Sequence, residues 1–335
     1  MKIQTEEFQK ALRVVKPAVA KTDLIDQSTC FIFDNGHIVG YNGEMCIMYP
    51  VIGLEATGAV LADPLYNYIL KLKRDTMELK TTSKEMQIKC GKSHAGLALD
   101  PDIRIPIDKI VGAGKWFPLP EFFNDFMLMA SGAAARDLTD PKLTCISVDK
   151  SGKIVGSDNF RILECTLEPF SFDNFLLPAE TARIVANMKP TKISISKGWV
   201  HFQNEDTKIS CQTYPDEYVD VSEFMQIEGP EFVFPKTFMQ VMDRASVFSK
   251  AAIAQDEEVT ITVGNNRIKI TAKNENGWFR EELNYETTDS PFSFTIIPYL
   301  LKDILRRTNT CTVNENGLAF DGDGWRYVSA LINME

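Results

Sequence analysis

The stretch Phe8-Gln9-Lys10-Ala11-Leu12-Arg13-Val14-Val15 places apolar residues at positions i, i+3, i+4 and i+7, the spacing of an amphipathic helix. The same pattern returns twice, and each copy lies 115 residues after the one before. The second and third copies are Phe123, Phe126, Met127 and Ala130, and Phe238, Val241, Met242 and Ala245. One signature at equal intervals predicts an internal threefold repeat.

A hairpin signal follows each of these helices. Alternating apolar residues surround the turns Asn35-Gly36, Ser151-Gly152 and Gly264-Asn265-Asn266. Gly and Asn tolerate the positive φ that tight hairpin turns need, so antiparallel strand pairs are expected at all three places. A second helix is predicted in each repeat, over residues 63–74, 178–192 and 298–308. The pattern therefore predicts an α+β protein of three similar domains, 1–115, 116–227 and 228–335, each with two helices on one face of antiparallel sheets.

Composition narrows the protein class. The 335 residues are 44% hydrophobic and 24% charged, as in soluble globular proteins. No apolar run reaches the roughly 18–20 residues of a membrane helix, and the start, Met1-Lys2-Ile3-Gln4-Thr5-Glu6-Glu7, lacks the apolar stretch of a secretory signal. The seven cysteines occur singly among apolar residues, which predicts reduced thiols and a cytoplasmic location.

Catalytic and metal-binding patterns are not found in the sequence. The three histidines, His37, His94 and His201, lie far apart and show no metal-ligand spacing. We therefore expect no catalytic residues, no metal and no cofactor, and a protein that is not an enzyme.

The charge is unevenly distributed. The net charge is −10, yet the six predicted helix windows (5–21, 63–74, 119–137, 178–192, 235–250 and 298–308) contain 17 Lys or Arg and 9 Asp or Glu. This leaves +8 on the windows and −18 elsewhere. Helices that share one surface would attract phosphate; alternatively, these cations only offset helix dipoles. The candidate phosphate contacts are Lys10, Arg13, Lys16, Lys21, Lys71, Lys73, Arg74, Arg136, Arg183, Lys189, Lys192, Lys250, Lys302, Arg306 and Arg307.

Three segments resemble one known family. Val155-Gly156-Ser157-Asp158-Asn159-Phe160-Arg161-Ile162 resembles the ATDGHRL strand and turn of the bacterial DNA polymerase III β subunit, the DNA sliding clamp or processivity factor, including its phage-encoded relatives. Tyr214-Pro215-Asp216-Glu217-Tyr218 resembles its FPDY segment, and Tyr299-Leu300-Leu301-Lys302-Asp303-Ile304-Leu305 its YLLDAL run. The resemblance extends over the full chain.

The resemblance implies a head-to-tail homodimeric ring of six similar domains that encircles double-stranded DNA without reading its sequence. It also implies that a DNA polymerase and a clamp loader bind through short peptides in a cleft. Position by position, that cleft comprises Leu143, Asn159, Phe160, Arg161, Ile162, Pro215, Tyr218, Val219, Val328, Ala330, Leu331 and Ile332. The alternative for the apolar members is that they only fill the core.

The resemblance also implies a ring interface at Ala95, Val247 and Phe248. Two departures stand out: Asn159-Phe160 replaces Gly-His of the family, and Ala95 replaces an aromatic residue. The first predicts a different peptide preference, and the second a looser or different oligomer. The alternative function is a clamp-fold interaction scaffold for replication or repair proteins that does not close around DNA.

Overall fold

The computed structural model describes residues 1–112, 114–286 and 291–332. These residues form two compact units. The first unit consists of Met1–Leu128 and Pro169–Asp216, and the second of Met129–Glu168 with the described part of Glu217–Glu335. The three-domain boundaries drawn from the sequence stay a prediction.

Helices form at all three repeated signatures and at the three later sites. The part of the chain that the structure describes contains seven α-helices: α1 (Thr5–Val15), α2 (Ala62–Ile69), α3 (Ile107–Ile110), α4 (Phe123–Ala133), α5 (Ala179–Asn187), α6 (Phe238–Phe248) and α7 (Pro298–Ile304). The first aromatic residue of each signature, Phe8, Phe123 or Phe238, is at most 1% exposed. Burial of such a side chain contributes about 1.5–3 kcal/mol, so the repeated apolar stripe holds each helix against its sheet.

The first unit is built on one antiparallel sheet of twelve strands. In order across the sheet these are β1 (Lys2–Gln4), β6 (Thr76–Thr81), β7 (Glu85–Cys90), β8 (Ser93–Asp100), β5 (Gly58–Leu61), β2 (Cys30–Asp34), β3 (His37–Tyr41), β4 (Met45–Pro50), β16 (Lys208–Gln212), β15 (Trp199–Gln203), β14 (Lys192–Ser196) and β9 (Phe117–Pro118). The unit also contains β13 (Phe175–Pro178). β4 pairs with β16, with Ile47 opposite Ile209. This pair joins a strand from residues 1–115 to one from residues 116–227, and we call it the first junction.

The second unit contains two antiparallel sheets. Its strands run β10 (Cys145–Val148), β11 (Lys153–Ser157), β12 (Arg161–Thr166), β24 (Trp325–Ala330), β23 (Gly317–Gly322), β22 (Thr310–Val313) and β17 (Glu231–Val233), followed in the other sheet by β20 (Gly277–Asn284), β19 (Arg267–Asn274), β18 (Val259–Gly264) and β21 (Phe292–Ile296). β12 pairs with β24, with Ile162 opposite Val328. This pair joins a strand from residues 116–227 to one from residues 228–335, and we call it the second junction.

The predicted hairpins are confirmed. β2–β3, β10–β11 and β18–β19 are antiparallel pairs at the three predicted turns. Asn35 and Gly36 both have positive φ, and so do Asn265 and Asn266, which suits the right-handed twist of the strands. At Gly40, a Cβ would lie 2.9 Å from the Val15 side chain, so only glycine lets β3 approach α1 this closely.

A connector crosses each junction. The first connector, residues 101–111, buries Ile105, Ile107 and Ile110 against a cluster that includes Ile32 and Cys46. The second connector, residues 217–230, packs Val221 against Val155 and Ile162, and Ile227 against Ala319 and Val328. Both connectors are therefore held by apolar burial rather than by strand pairing.

The helices are shorter than predicted, which corrects the charge assignment. Only five of the 17 window cations lie within the observed α-helices, and most of the rest follow a helix C-terminus. The seven helices contain six Lys or Arg and eight Asp or Glu. The prediction that the helices themselves are basic is therefore wrong, and the positive charge belongs to the segments that follow them.

Candidate functional site

A groove of about 520 Å³ lies beside the second junction. Ile162 and Val328 come from the paired strands of the junction, and Val219 and Phe224 come from the second connector. The volume falls within the range of sites that bind small molecules or peptide anchors, about 300–1,000 Å³. The groove is thus an open apolar surface of binding size within the second unit.

Eight of the twelve predicted cleft residues line this groove: Leu143, Asn159, Phe160, Arg161, Ile162, Val219, Val328 and Ala330. Their peptide-binding role stays a prediction. Pro215, Tyr218, Leu331 and Ile332 lie outside its lining, and their peptide-binding role stays a prediction as well.

Each of the four has a different place in the structure. Pro215 belongs to the first unit. Tyr218 packs against the Val155, Ile162 and Val221 cluster, where burial raises the pKa of its hydroxyl. β24 ends at Ala330, and the backbone N–H groups of Leu331 and Ile332 then donate to the carbonyls of Asn316 and Thr295.

A buried arginine organises one wall of the groove. The side chain of Arg161 is 5% exposed, and its Nε and Nη1 lie 2.9 Å from Asp158 and 2.7 Å from Asp303. Its Nη2 donates to the Gly132 carbonyl at 2.9 Å, and its guanidinium lies 5.2 Å from the Tyr299 ring centroid. Burial lowers the pKa of Arg161, but Tyr327, Asp158 and Asp303 raise it by more, so the guanidinium stays charged. Arg161 therefore holds this wall of the groove in place, and the carboxylates of Asp158 and Asp303 already balance its charge.

The rim of the groove is acidic. Asp140, Asp220 and Glu223 line it, and Arg161 is the only Lys or Arg among the described lining residues. Phe224, beside Glu223, is 66% exposed. Since Arg161 is paired, the groove offers apolar anchoring with unpaired negative charge at its edge, which favours a partner that carries cations next to its apolar residues.

Sequence reasoning missed the second connector's part in the groove. The missed lining residues are Asp140, Ser157, Asp220, Val221, Glu223, Phe224, Gln226, Ile227 and Asn316. The alternation Val219-Asp220-Val221, directly after the segment ending at Tyr218, was the available signal. It indicates an extended segment with one apolar face.

A second concavity, of about 1,080 Å³, lies between α1 and the residues after α2 in the first unit. Its lining includes four basic residues, Lys10, Arg13, Lys73 and Arg74, and four acidic residues, Glu6, Glu7, Asp75 and Asp206. The Lys10 Nζ lies 3.3 Å from Asp206 and 5.4 Å from the Tyr49 ring centroid. Hydrogen bonding to Tyr49, and then to Asp206, raises the pKa of Lys10. Arg13, Lys73 and Arg74 are exposed in this concavity, and the neighbouring carboxylates balance the charge of its basic residues.

The fifteen candidate phosphate contacts fall into two groups. Lys10, Lys16, Arg183, Lys250 and Lys302 form ion pairs with Asp206, Asp63, Glu180, Glu257 and Asp243, at 2.5–3.3 Å. The other ten are exposed: Arg13, Lys21, Lys71, Lys73, Arg74, Arg136, Lys189, Lys192, Arg306 and Arg307. This second group is the one best placed for contact with an anionic polymer.

The three predicted interface residues are all accessible. Ala95 is half-buried on β8, and Val247 on α6 is 63% exposed. Phe248 stacks on Phe279 of β20, with ring centroids 6.1 Å apart. Their role in an interface stays a prediction.

Within the described residues, no group of three or more His, Cys, Asp or Glu side chains is arranged to hold a metal ion. None of the described helices is long and apolar enough to cross a membrane. All seven cysteines are free thiols, and burial raises the pKa of Cys46 to about 12.

Solved structures of similar fold cover the full chain. The DNA polymerase III subunit β of Pseudomonas aeruginosa has a TM-score of 0.86 at 17% identity and covers 100% of both chains. The β subunit of Thermotoga maritima has a TM-score of 0.84 at 17% identity, covering 100% of this chain and 99% of that one. The sliding clamp of Bartonella birtlesii, solved bound to griselimycin, has a TM-score of 0.86 at 16% identity, with the same coverage.

The chain has the fold of the bacterial DNA sliding clamp. No protein-family profile matches the sequence, and no curated protein matches it. The likeness is one of fold, at 16–17% identity.

Proposed function

We propose that this protein is a DNA sliding clamp, a homodimeric ring that encircles duplex DNA and tethers a replicative polymerase. The observation that carries the proposal is the clamp fold over the full chain. The ten exposed cations support it, because Lys and Arg that contact phosphates bind any DNA sequence and leave the protein free to slide. The role is non-enzymatic and is exercised in the cytoplasm.

The groove is the proposed docking site for the polymerase and the clamp loader. Short peptides from these partners would place apolar side chains against Ile162, Val219 and Val328. A peptide mode suits a groove of this size, because a few apolar pockets can hold an extended segment in a fixed position.

Two unlike strand edges support self-association. β20 is the outermost strand of its sheet, and Ser93–Ala98 of β8 pairs only with β7 among the described strands. An unpaired edge is a template for pairing with another chain. Two copies would form two equivalent β8–β20 contacts, which closes the assembly by a twofold axis.

A charge-removal experiment tests the DNA-binding part. Replacing Lys73, Arg74, Arg306 and Arg307 with Ala removes four exposed cations. The slope of log K for duplex DNA against log salt, measured by fluorescence anisotropy, should fall by about 3–4, since each phosphate contact contributes about 0.9.

The matched control removes four exposed lysines from turns and strands, Lys84, Lys150, Lys197 and Lys273. This variant should retain the original slope. Equal slopes for both variants would overturn the proposed DNA surface. Light scattering should give twice the 37.7 kDa mass of one chain.

One observation favours the alternative, an interaction scaffold that does not encircle DNA. The observed helices carry more acidic than basic residues, so the basic surface depends on the segments after them. A monomeric mass, with retained peptide binding and no salt-dependent DNA binding, would favour the scaffold over the clamp.

A further inference from the structure

A hollow of about 500 Å³ opens on the face formed by β6, β7 and β8 in the first unit. Gly96 of β8 lies at its floor, where a Cβ would overlap the Glu85 carboxylate. Lys80 and Lys89 stand at its rim. Glu78 and Glu85 also line it, and the Glu85 carboxylate lies over Gly96, in the space that a side chain at that position would fill.

The hollow adjoins a free strand edge. β8 pairs with β7 over Ser93–Ala98, whereas its pairing with β5 involves only Leu99 and Asp100. The segment Ser93–Ala98 contains no Lys and no Pro, the residues that commonly block an edge. A strand added at this edge would therefore extend the sheet directly beside the hollow.

In the second unit, an exposed tryptophan lies on the other free edge. Trp278 of β20 is 70% exposed. The next residue, Phe279, stacks on Phe248 of α6, so Trp278 points to the opposite face of the strand because side chains alternate. A large aromatic residue left in water on an unpaired edge is typical of an interface anchor.

We propose that Trp278 of one copy fills the hollow over Gly96 of a second copy, with β20 paired antiparallel along β8. This inference rests on the proposed homodimer and names the anchor of its interface. The alternation is consistent on both faces: Trp278 and Gly96 share one, and Phe279 and Ala95 share the other.

The chemistry of the hollow suits an indole. The ring would bury roughly 150–250 Å². Lys80 at the rim can lie against its face, where an ammonium group is attracted to an aromatic ring, whereas Lys89 pairs with Glu78 at 3.7 Å. Glu85 is half-buried and accepts a hydrogen bond from the Gln87 side chain at 2.7 Å, so admitting the ring requires both flexible side chains to move away from Gly96.

Cross-linking tests the contact directly. The six native cysteines other than Cys30 are buried, and Cys30 is half-buried, so introduced thiols react selectively. His94 lies on the hollow face, two residues from Gly96. A mixture of His94→Cys and Trp278→Cys chains, treated with a short bismaleimide, should give covalent dimers.

The matched control pairs Trp278→Cys with Lys84→Cys, an exposed residue in the turn before β7. That mixture should remain uncross-linked. Dimers by light scattering without the His94–Trp278 cross-link would overturn the anchor and leave the proposed ring intact. A monomer at every concentration would overturn the ring, and the anchor with it.

Substitution tests the strength of the anchor. Trp278→Ala should raise the dimer dissociation constant about thirtyfold per contact, and close to a thousandfold for two contacts, by the usual effect of an interface tryptophan. Leu138→Ala, at a residue 77% exposed outside the hollow, is the control and should leave the dissociation constant unchanged.

Gly96→Leu tests the hollow from the other side. Introduced alone, it should weaken the dimer, because Trp278 then has no space. Introduced into Trp278→Ala, it should strengthen the dimer, because leucine occupies the space that the tryptophan left. Equal dissociation constants for Trp278→Ala and Leu138→Ala would refute the anchor.

Discussion

The first and second junctions are built alike but end differently. At the first junction, Ile105, Ile107 and Ile110 of the connector are each 5% exposed and cover the sheet. At the second, Val221 and Ile227 are buried, yet Phe224 between them is 66% exposed and a groove stays open. One architecture thus gives a closed core or an open groove, depending on how many apolar residues of the connector reach the sheet.

The largest expected difference between the junctions is in stability. Replacing Arg161 with Ala at the second junction leaves Asp158, with 11% of its side chain exposed, without its ionic partner. We expect the free energy of unfolding, from urea titration, to fall by about 3–5 kcal/mol, since breaking a buried ion pair strands the remaining charge. Lys153→Ala, which breaks the exposed pair with Glu164, is the control and should cost less than about 1 kcal/mol. Equal losses would mean that the Arg161 network does not support the groove.

The next effect concerns binding alone. Phe224→Ala should weaken the binding of a fluorescent peptide with a leucine and phenylalanine core by about tenfold or more, because an exposed aromatic residue that lines a groove can anchor a docked apolar side chain. Its melting temperature should not change. Leu138→Ala, also highly exposed but outside the groove, should bind as the unaltered chain does. Unchanged affinity in Phe224→Ala would place the peptide elsewhere.

A smaller effect distinguishes charge from shape at the rim. The double variant Asp220→Asn and Glu223→Gln should bind a lysine-flanked peptide about three- to tenfold more weakly, since each exposed ion pair contributes up to about 1 kcal/mol. A glutamate-flanked peptide should bind this variant more tightly than the unaltered chain. The difference should shrink in high salt. A loss of the same size for both peptides would show that shape alone selects the partner.

The smallest effect belongs to the first junction. His201 on β15 bonds Ser196 and Ser210 at 2.8 and 2.9 Å, and burial lowers its pKa from 6.5. As pH falls below about 6.5, the unfolded chain therefore gains a proton that the folded chain does not, and stability decreases. His201→Gln should flatten the stability profile between pH 7 and 5 by about 1 kcal/mol or less. An unaltered profile in His201→Gln would contradict the prediction.

The repeated helices and hairpins could be predicted because they depend on local patterns. The helix ends could not, because side chains distant in sequence set them. Gln9 donates to the carbonyls of Ile69 and Leu72 at 2.8 and 3.0 Å, and so satisfies the end of α2. Asn204 likewise donates to the Met188 carbonyl after α5. Lys and Arg residues that the helical pattern assigned to a last helical turn therefore lie after the observed end of the helix.

The groove shows the same limit. Ile162 and Val328 could be named from a resemblance, but their contact requires strands 166 residues apart to pair. The exposed Phe224 had no such signal, because only the folded connector shows which of its apolar residues miss the sheet.

If the edges of β8 and β20 each pair with another copy as proposed, the chain is a bifunctional monomer in the sense of polymer chemistry. Such a monomer can close into a small cycle or add copies without limit into a filament, and the rotation between successive copies decides between them. Closure at two copies would use both of these edges, so that neither could add a further copy. Ring closure would then also be this chain's protection against fibrous aggregation.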